Sequence, residues 1–261
     1  MPNLYEAIIL EIFRGHYRKG VKSFVFDRSE IEKVAKRLRV KLPKNIGDLF
    51  YSFRFRKAFP QEIRETASAG NAWMLELAGQ AKYRFRLGKE SRIIPRVDSV
   101  RIKIPDSTPE IVAKYALSDE QALLAKVRYN RLIDIFLGIT TYSMQNHLRT
   151  TVHGMGQIEV DEIYVGINQQ GVQFVVPVQA KGGKDQLGTV QTNQDIEFCR
   201  QKFPELVCRA VSAQFLNQSA IALFELVMSD GEVKVIAERH YELVPADQIT
   251  AGDLKTYGRL V

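Results

Sequence analysis

The chain has 261 residues, 45% of them hydrophobic and 26% charged, with 17 Gly and 9 Pro. That balance excludes a disordered or collagen-like polymer and leaves room for one large domain or two modest ones. Two cysteines, Cys199 and Cys208, exclude a disulfide framework and a cysteine-based zinc site and read as small core residues, while no apolar run approaches the ~18 residues that cross a bilayer, so a soluble, cytoplasmic protein without a membrane partner is expected.

The 37 Lys and Arg against 30 Asp and Glu leave a charge of +7. Residues 1–118 hold 24 basic and 13 acidic side chains, and residues 119–261 hold 13 and 17. A basic half beside a mildly acidic one fits a nucleic-acid-binding module joined to a unit whose carboxylates hold metal; the plain alternative is a solvated basic surface.

In chain order, Leu4, Ala7, Ile8 and Phe13 recur at helical spacing before Gly15, predicting a first helix. After the apolar SFVF at 23–26, Ser29 and Glu32 stand in the arrangement of a capping box ahead of Ile31, Val34, Ala35 and Leu38, predicting a second. Leu42-Pro43 breaks it, Asn45 is placed to cap a third, and Ile46, Leu49, Phe50 and Phe53 form an apolar face with a basic end at Arg54 and Arg56. WMLEL at 73–77 and KYRFRL at 82–87 alternate in period two across a Gly-containing turn, predicting a hairpin with Lys82, Arg84 and Arg86 on one face. Three helices followed by a basic hairpin is the order of a winged helix; a merely solubilised strand face is the competing reading. Trp73 reads as hairpin core. Pro95, Pro105 and Pro109 mark residues 93–118 as a linker, relieved by the alternation VRIKI at 100–104. Ser118 is placed to cap a long amphipathic helix from Asp119 to about Phe136, ended by Gly138. A helix at about 189–203 and strands at 206–214, 219–228 and 233–243 complete the chain.

The chemistry concentrates between them. IEVDEIYVGI at 158–167 and VQFVVPVQAK at 172–181 are joined by Asn168-Gln169-Gln170-Gly171, a predicted hairpin. Glu159 and Asp161 share one strand face and Glu162 the other; Gln179 and Lys181 share a face at the end of the second strand. A carboxylate and an amide oxygen suit Mg²⁺, and a lysine beside them suits water activation at a scissile phosphate. The alternative is a surface ion pair between Asp161 and Lys181 that adds little stability.

On these residues the chain resembles the PD-(D/E)xK nuclease superfamily, which includes many restriction endonucleases, over roughly residues 119–245. The runs GQIEVDEIYVG and VPVQAKGGKD look like those of restriction-endonuclease-like proteins, and KNIGDLFYSFRFRKAFP at 44–60 looks like segments preceding such domains. The resemblance implies an α/β (α+β) protein with an αβββαβ core in a nuclease domain at 119–261, which follows the winged-helix-like DNA-binding domain at 1–92 and the linker at 93–118 that element order and prolines predict. It matches Asp161 to the first acid, Gln179 to the second ligand and Lys181 to the lysine. No proline precedes Asp161, and Gln179 stands where the family has an acid, removing one negative charge. Glu159, as a third metal ligand, or Glu162 would supply it, and Glu162 is the alternative first acid if the strand is bulged or differently phased.

Glu120 and Asp134 lie on the preceding helix, where some members carry a further acid, with nothing in the spacing to select either. Gln191 and Gln194 open the following helix and face either the site or solvent. Lys184 and Asp185 read as a phosphate-reaching loop or a plain turn. His147 and His153 read as structural, or His147 and Arg149 as phosphate contacts. The function implied is a Mg²⁺-dependent endonuclease of type II restriction type cutting double-stranded DNA as a homodimer, with a cognate DNA methyltransferase in the same system. Arg54, Arg56, Lys57, Lys82, Arg84, Arg86 and Lys184 would contact DNA. The alternatives are a non-catalytic winged-helix regulator and a nuclease of the same fold acting on RNA, modified or branched DNA.

Overall fold

A computed structural model describes residues 4–42, 46–89, 92–115, 120–181, 187–217, 219–229 and 232–259. Asn45, Ser118, Lys184 and Asp185 lie outside the described residues, as does the side chain of Arg56. The chain divides into two compact units, Met1–Ser91 with Thr150–Ile158 and Gly188–Val190, and Arg92–Arg149 with Glu159–Leu187 and Gln191–Val261.

The first unit runs α1 (Leu4–His16), β1 (Ser23–Asp27), α2 (Ser29–Leu38), α3 (Gly47–Tyr51), a π-helical turn at Ser52–Arg56, α4 (Gln61–Arg64), β2 (Ala72–Leu77) and β3 (Lys82–Gly88). Its three strands pair antiparallel in the order β1-β3-β2. The stretch SFVF is therefore a strand that completes the hairpin's sheet. Alternation along β3 turns Tyr83 and Phe85 inward, where Phe85 meets Phe13 of α1 edge-on at 5.2 Å and Tyr83 stacks on Phe50 at 3.5 Å. Burying each such ring contributes roughly 1.5–3 kcal/mol. Trp73 is 5% exposed and donates its indole N–H to Thr66 Oγ1 at 2.8 Å, which makes it a core residue.

Two local expectations change. The second helix begins at Ser29 itself, so no Ser29–Glu32 capping box forms; Glu30 accepts the Asp27 N–H at 2.9 Å and pairs with His16 at 2.7 Å. Burial opposes its charge, but these two hydrogen bonds hold the Glu30 carboxyl below its ordinary range. The third helix widens after Tyr51, with Lys57 N–H bonding Ser52 C=O at 2.7 Å, five residues back. Phe53 then stacks on Phe59 at 5.5 Å.

The second unit holds β4 (Arg92–Ile93), β5 (Arg101–Pro105), α5 (Glu110–Tyr115), α6 (Glu120–Tyr129), α7 (Leu132–Leu137), β6 (Thr140–Val152), β7 (Gly156–Ile167), β8 (Gln173–Lys181), β9 (Leu187–Gly188), α8 (Thr189–Lys202), β10 (Val207–Cys208), β11 (Ala210–Phe215), β12 (Ala220–Ser229), β13 (Glu232–Val244) and α9 (Ala251–Tyr257). Parts of β6, β7, β9 and α8 are counted with the first unit. The fold is mixed α/β, built on an eight-stranded mixed sheet in the order β5-β13-β12-β11-β8-β7-β6, with β10 beside β8. β7 and β8 are antiparallel, β8 and β11 parallel, and β12 and β13 continue antiparallel. α8 is the crossover that a parallel β8–β11 pair demands. Leu123, Leu124, Val127, Leu132 and Ile133 pack on Val176, Val178 and Ala180 on one face, while Ile196 of α8 packs with Ala222 and Phe224.

The helix expected from Asp119 to Phe136 is two helices. Arg131 sits in the left-handed region at φ 50°, and Asn130, 4% exposed, leaves the helical pattern to accept the Ser107 N–H at 2.7 Å and donate to Thr108 Oγ1 at 3.0 Å. The proline-marked stretch 93–118 holds α5 and also β5, which pairs parallel with β13, as the VRIKI alternation fits. Strand β6 had no signature in the sequence: residues 142–147 are exposed whichever way they point, so no alternation marks them. Both cysteines are free, Cys199 buried and Cys208 half-buried; a hydrogen bond to Cys208, with burial, pushes the Cys199 thiol up.

Candidate active site

Strand β8 has β7 on one edge and β10 and β11 on the other. It pairs with β7 from Ile167–Gln173 to Glu162–Val178 and with β11 from Val211–Val178 to Gln214–Lys181. Near Asp161 the backbone Ala180 N–H bonds the Asp161 carboxylate at 2.9 Å. Lys181 and Gln214 thus stand at the C-terminal end of a parallel pair, where α/β sheets present side chains to ligands.

Alternation puts Asp161 on one face of β7, with Gln179 and Lys181 of β8 and Ser212 and Gln214 of β11. Asp161 and Lys181 are each 8% exposed and Gln179 2%. Lys181 Nζ reaches Glu120 Oε1 at 3.0 Å, from the first residue of α6. Asp195, on α8, is 2% exposed; it lies within the fields of Asp161 and Lys181, with the Gln179 amide beside it. The structure thus gathers Asp161, Gln179 and Lys181, and adds Glu120 and Asp195.

The electrostatics are unbalanced. Burial raises the Asp161 carboxyl, against the pull of Lys181 and the Ala180 N–H, with Glu120 and Glu159 pushing it further. Asp195 is pushed well above the carboxylate range, by burial first and then by the charge of Asp161, against the Gln179 amide and Lys181. Several buried polar atoms here form no ordinary hydrogen bond among the described residues: both amide atoms of Gln179, Asp195 Oδ1, Ser212 Oγ and Gln214 Oε1. Unmatched buried oxygens beside two close carboxylates form an environment that a cation would satisfy.

The donors are all hard oxygens, which suits Mg²⁺ or Mn²⁺ rather than a soft metal. Among the described residues no three His, Cys, Asp or Glu side chains converge as a metal cluster. A cation here would rest on few protein ligands and keep several waters, as Mg²⁺ prefers.

The other acids stand apart. Glu159 is 41% exposed and pairs with Arg149 at 3.2 Å and His147 at 3.3 Å. Glu162 is fully buried on the opposite face, accepting Arg128 Nε at 2.9 Å and the Ser143 hydroxyl. Asp134 accepts the Thr141 N–H at 2.7 Å. Of the α8 glutamines, Gln194 is 5% exposed and turned inward, and Gln191 is half-buried.

In the first unit, Lys57 and Lys82 are exposed, while Arg54 and Arg84 are half-buried. Arg86 is committed to Glu76, with Nη2 at 2.7 Å, so the hairpin face is less cationic than its sequence. Asp195 carries a weak signal in the sequence. It stands three and four residues before the buried Phe198 and Cys199, an acid on the inward stripe of a helix. Glu120 had no such mark.

No family model, curated protein or solved structure matches this chain. Among the described residues no helix is long and apolar enough to cross a membrane.

Proposed function

We propose that the chain is a Mg²⁺-dependent endonuclease of restriction type, with the catalytic centre in the second unit and DNA binding in the first. The observation that carries this reading is the convergence of Asp161, Gln179, Lys181 and Glu120 at the C-terminal end of β8. The order helix, three antiparallel strands, crossover helix and a fourth strand parallel to the third supports an αβββαβ core of the PD-(D/E)xK kind. In the first unit, the sheet order β1-β3-β2 with its preceding helices supports a winged helix.

Asp161 and the Gln179 amide oxygen would hold the metal, which when bound withdraws charge from the scissile phosphate. Lys181, fixed by Glu120, would orient the attacking water. Glu120 is 38% exposed and holds the Lys181 ammonium at 3.0 Å. Lys57, Lys82 and Arg84 would neutralise phosphates, a sequence-independent contribution. Cutting both strands calls for two such centres, hence a homodimer.

The test is digestion of plasmid and unmodified genomic DNA by the full chain with Mg²⁺ or EDTA, beside Asp161→Ala and Lys181→Ala. Discrete fragments that need Mg²⁺ and vanish in both variants are expected. Tight DNA binding without cleavage of duplex, single-stranded, branched or modified substrates would refute the reading in favour of a regulator.

A further inference from the structure

The site as read from Asp161, Gln179 and Lys181 is one negative charge short, since an amide stands on β8 where a second carboxylate would be expected. Neither acid considered as its replacement is free to serve. Glu159 is exposed and committed to His147 and Arg149; Glu162 is sealed on the other face with Arg128.

Asp195 meets the requirement. Its carboxyl is 2% exposed, leaves Oδ1 without a hydrogen bond among the described residues, and lies within the fields of Asp161 and Lys181 beside the Gln179 amide. It lies on α8, the crossover between β8 and β11, whose Ile196 packs with Ala210, two residues before Ser212 on the face that β11 shares with Gln179. A buried acid with an unmatched oxygen next to a second acid is costly in a fold that holds nothing between them. A cation bridging the two removes that cost and satisfies the oxygen together.

We propose that Asp195 supplies the carboxylate that Gln179 does not, as a ligand of the divalent cation held by Asp161. The proposal rests on the nuclease reading of this site. In it, Gln179 is a neutral neighbour that contributes its amide oxygen, and the negative charge has moved from the strand to the crossover helix. A consequence follows for the metal-free protein. Asn keeps the shape of this 2% exposed side chain and leaves no carboxyl to bury, so Asp195→Asn melts no lower than the parent without metal.

The experiment is calorimetric titration of the full chain with Mn²⁺ alone, for the parent, Asp161→Asn, Asp195→Asn, Gln179→Glu and the double variant Asp195→Asn/Gln179→Glu, each also melted without metal. Asp195→Asn is expected to weaken Mn²⁺ binding on the order of tenfold or more, because affinity at oxygen sites follows ligand charge. Gln179→Glu in the same chain restores it by returning a carboxylate to the strand. If Asp195→Asn binds as the parent does while Asp161→Asn does not, the proposal is overturned and the nuclease reading stands. A lower melting temperature in Asp195→Asn without metal, with no rescue of Mn²⁺ binding by Gln179→Glu, makes Asp195 a packing residue and also overturns it. Absence of Mn²⁺ binding in both the parent and Gln179→Glu removes the metal-dependent reading along with the proposal.

Discussion

Glu162→Ala separates structure from chemistry at the acidic pair on β7. Glu162 is fully buried and takes hydrogen bonds from Arg128 and Ser143, and its charge, after burial, helps raise the neighbouring Tyr164 hydroxyl. Removing one partner of a fully buried pair costs roughly 3–5 kcal/mol because the other charge is stranded. Arg128 is 35% exposed and can turn to water, which brings that cost to about 2–3 kcal/mol. The cavity left by the lost carboxyl and methylene adds about 1 kcal/mol. At about 2–4 °C per kcal/mol for a unit of this size, the melting temperature falls by about 6–16 °C. Scanning calorimetry and Mg²⁺-dependent cleavage at 20 °C are the paired assays: under the proposed nuclease function, the variant melts early yet cuts DNA at close to the parent rate while folded. A folded Glu162→Ala with unchanged melting and no cleavage would refute the reasoning and make Glu162 the reacting acid.

Three further outcomes are expected. Gly166→Ala places a Cβ 2.9 Å from the Thr140 carbonyl oxygen, a backbone contact that cannot yield, so chemical denaturation should find it about 1–3 kcal/mol less stable; an unchanged midpoint would mean β6 and β7 are not so closely apposed. Asn130→Ala removes the acceptor of Ser107 N–H and a donor to Asp106 and Thr108, a loss of about 2–3 kcal/mol in urea, and equal stability would place the helix break elsewhere. Asp253 accepts from the Thr250 N–H and hydroxyl and from Lys103, which lowers its carboxyl to about 2. A depressed carboxyl stabilises fully above its unfolded value near ~4 and progressively less as pH falls through its folded one. The melting gap between the parent and Asp253→Asn should therefore close between pH 4 and pH 2, and a gap constant over that range would contradict it.

Much of the fold is written locally. The runs on either side of Asn168–Gly171 read as strands because buried strands are continuous in Val and Ile, and the turn reads because Gly171 takes φ 79° and Asn168 Oδ1 accepts the N–H groups of Gln170 and Val172. Asp161, Gln179 and Lys181 share a face by strand alternation alone, given the register of β7 on β8. Strand β6 left no trace, since exposure on both sides erases the period. The break at Asn130 was equally silent, because its cause is a hydrogen bond to Ser107, 23 residues back. Pairing partners, not propensity, decided that β8 lies between β7 and β11, and that Arg86 is committed to Glu76. Glu120 comes to Lys181 from 61 residues away and Asp195 comes to Asp161 from a helix. Sequence period states which way a side chain faces; only the packed sheet and its crossover helix state what it faces, because those contacts are set by chain closure over distances that no local pattern encodes.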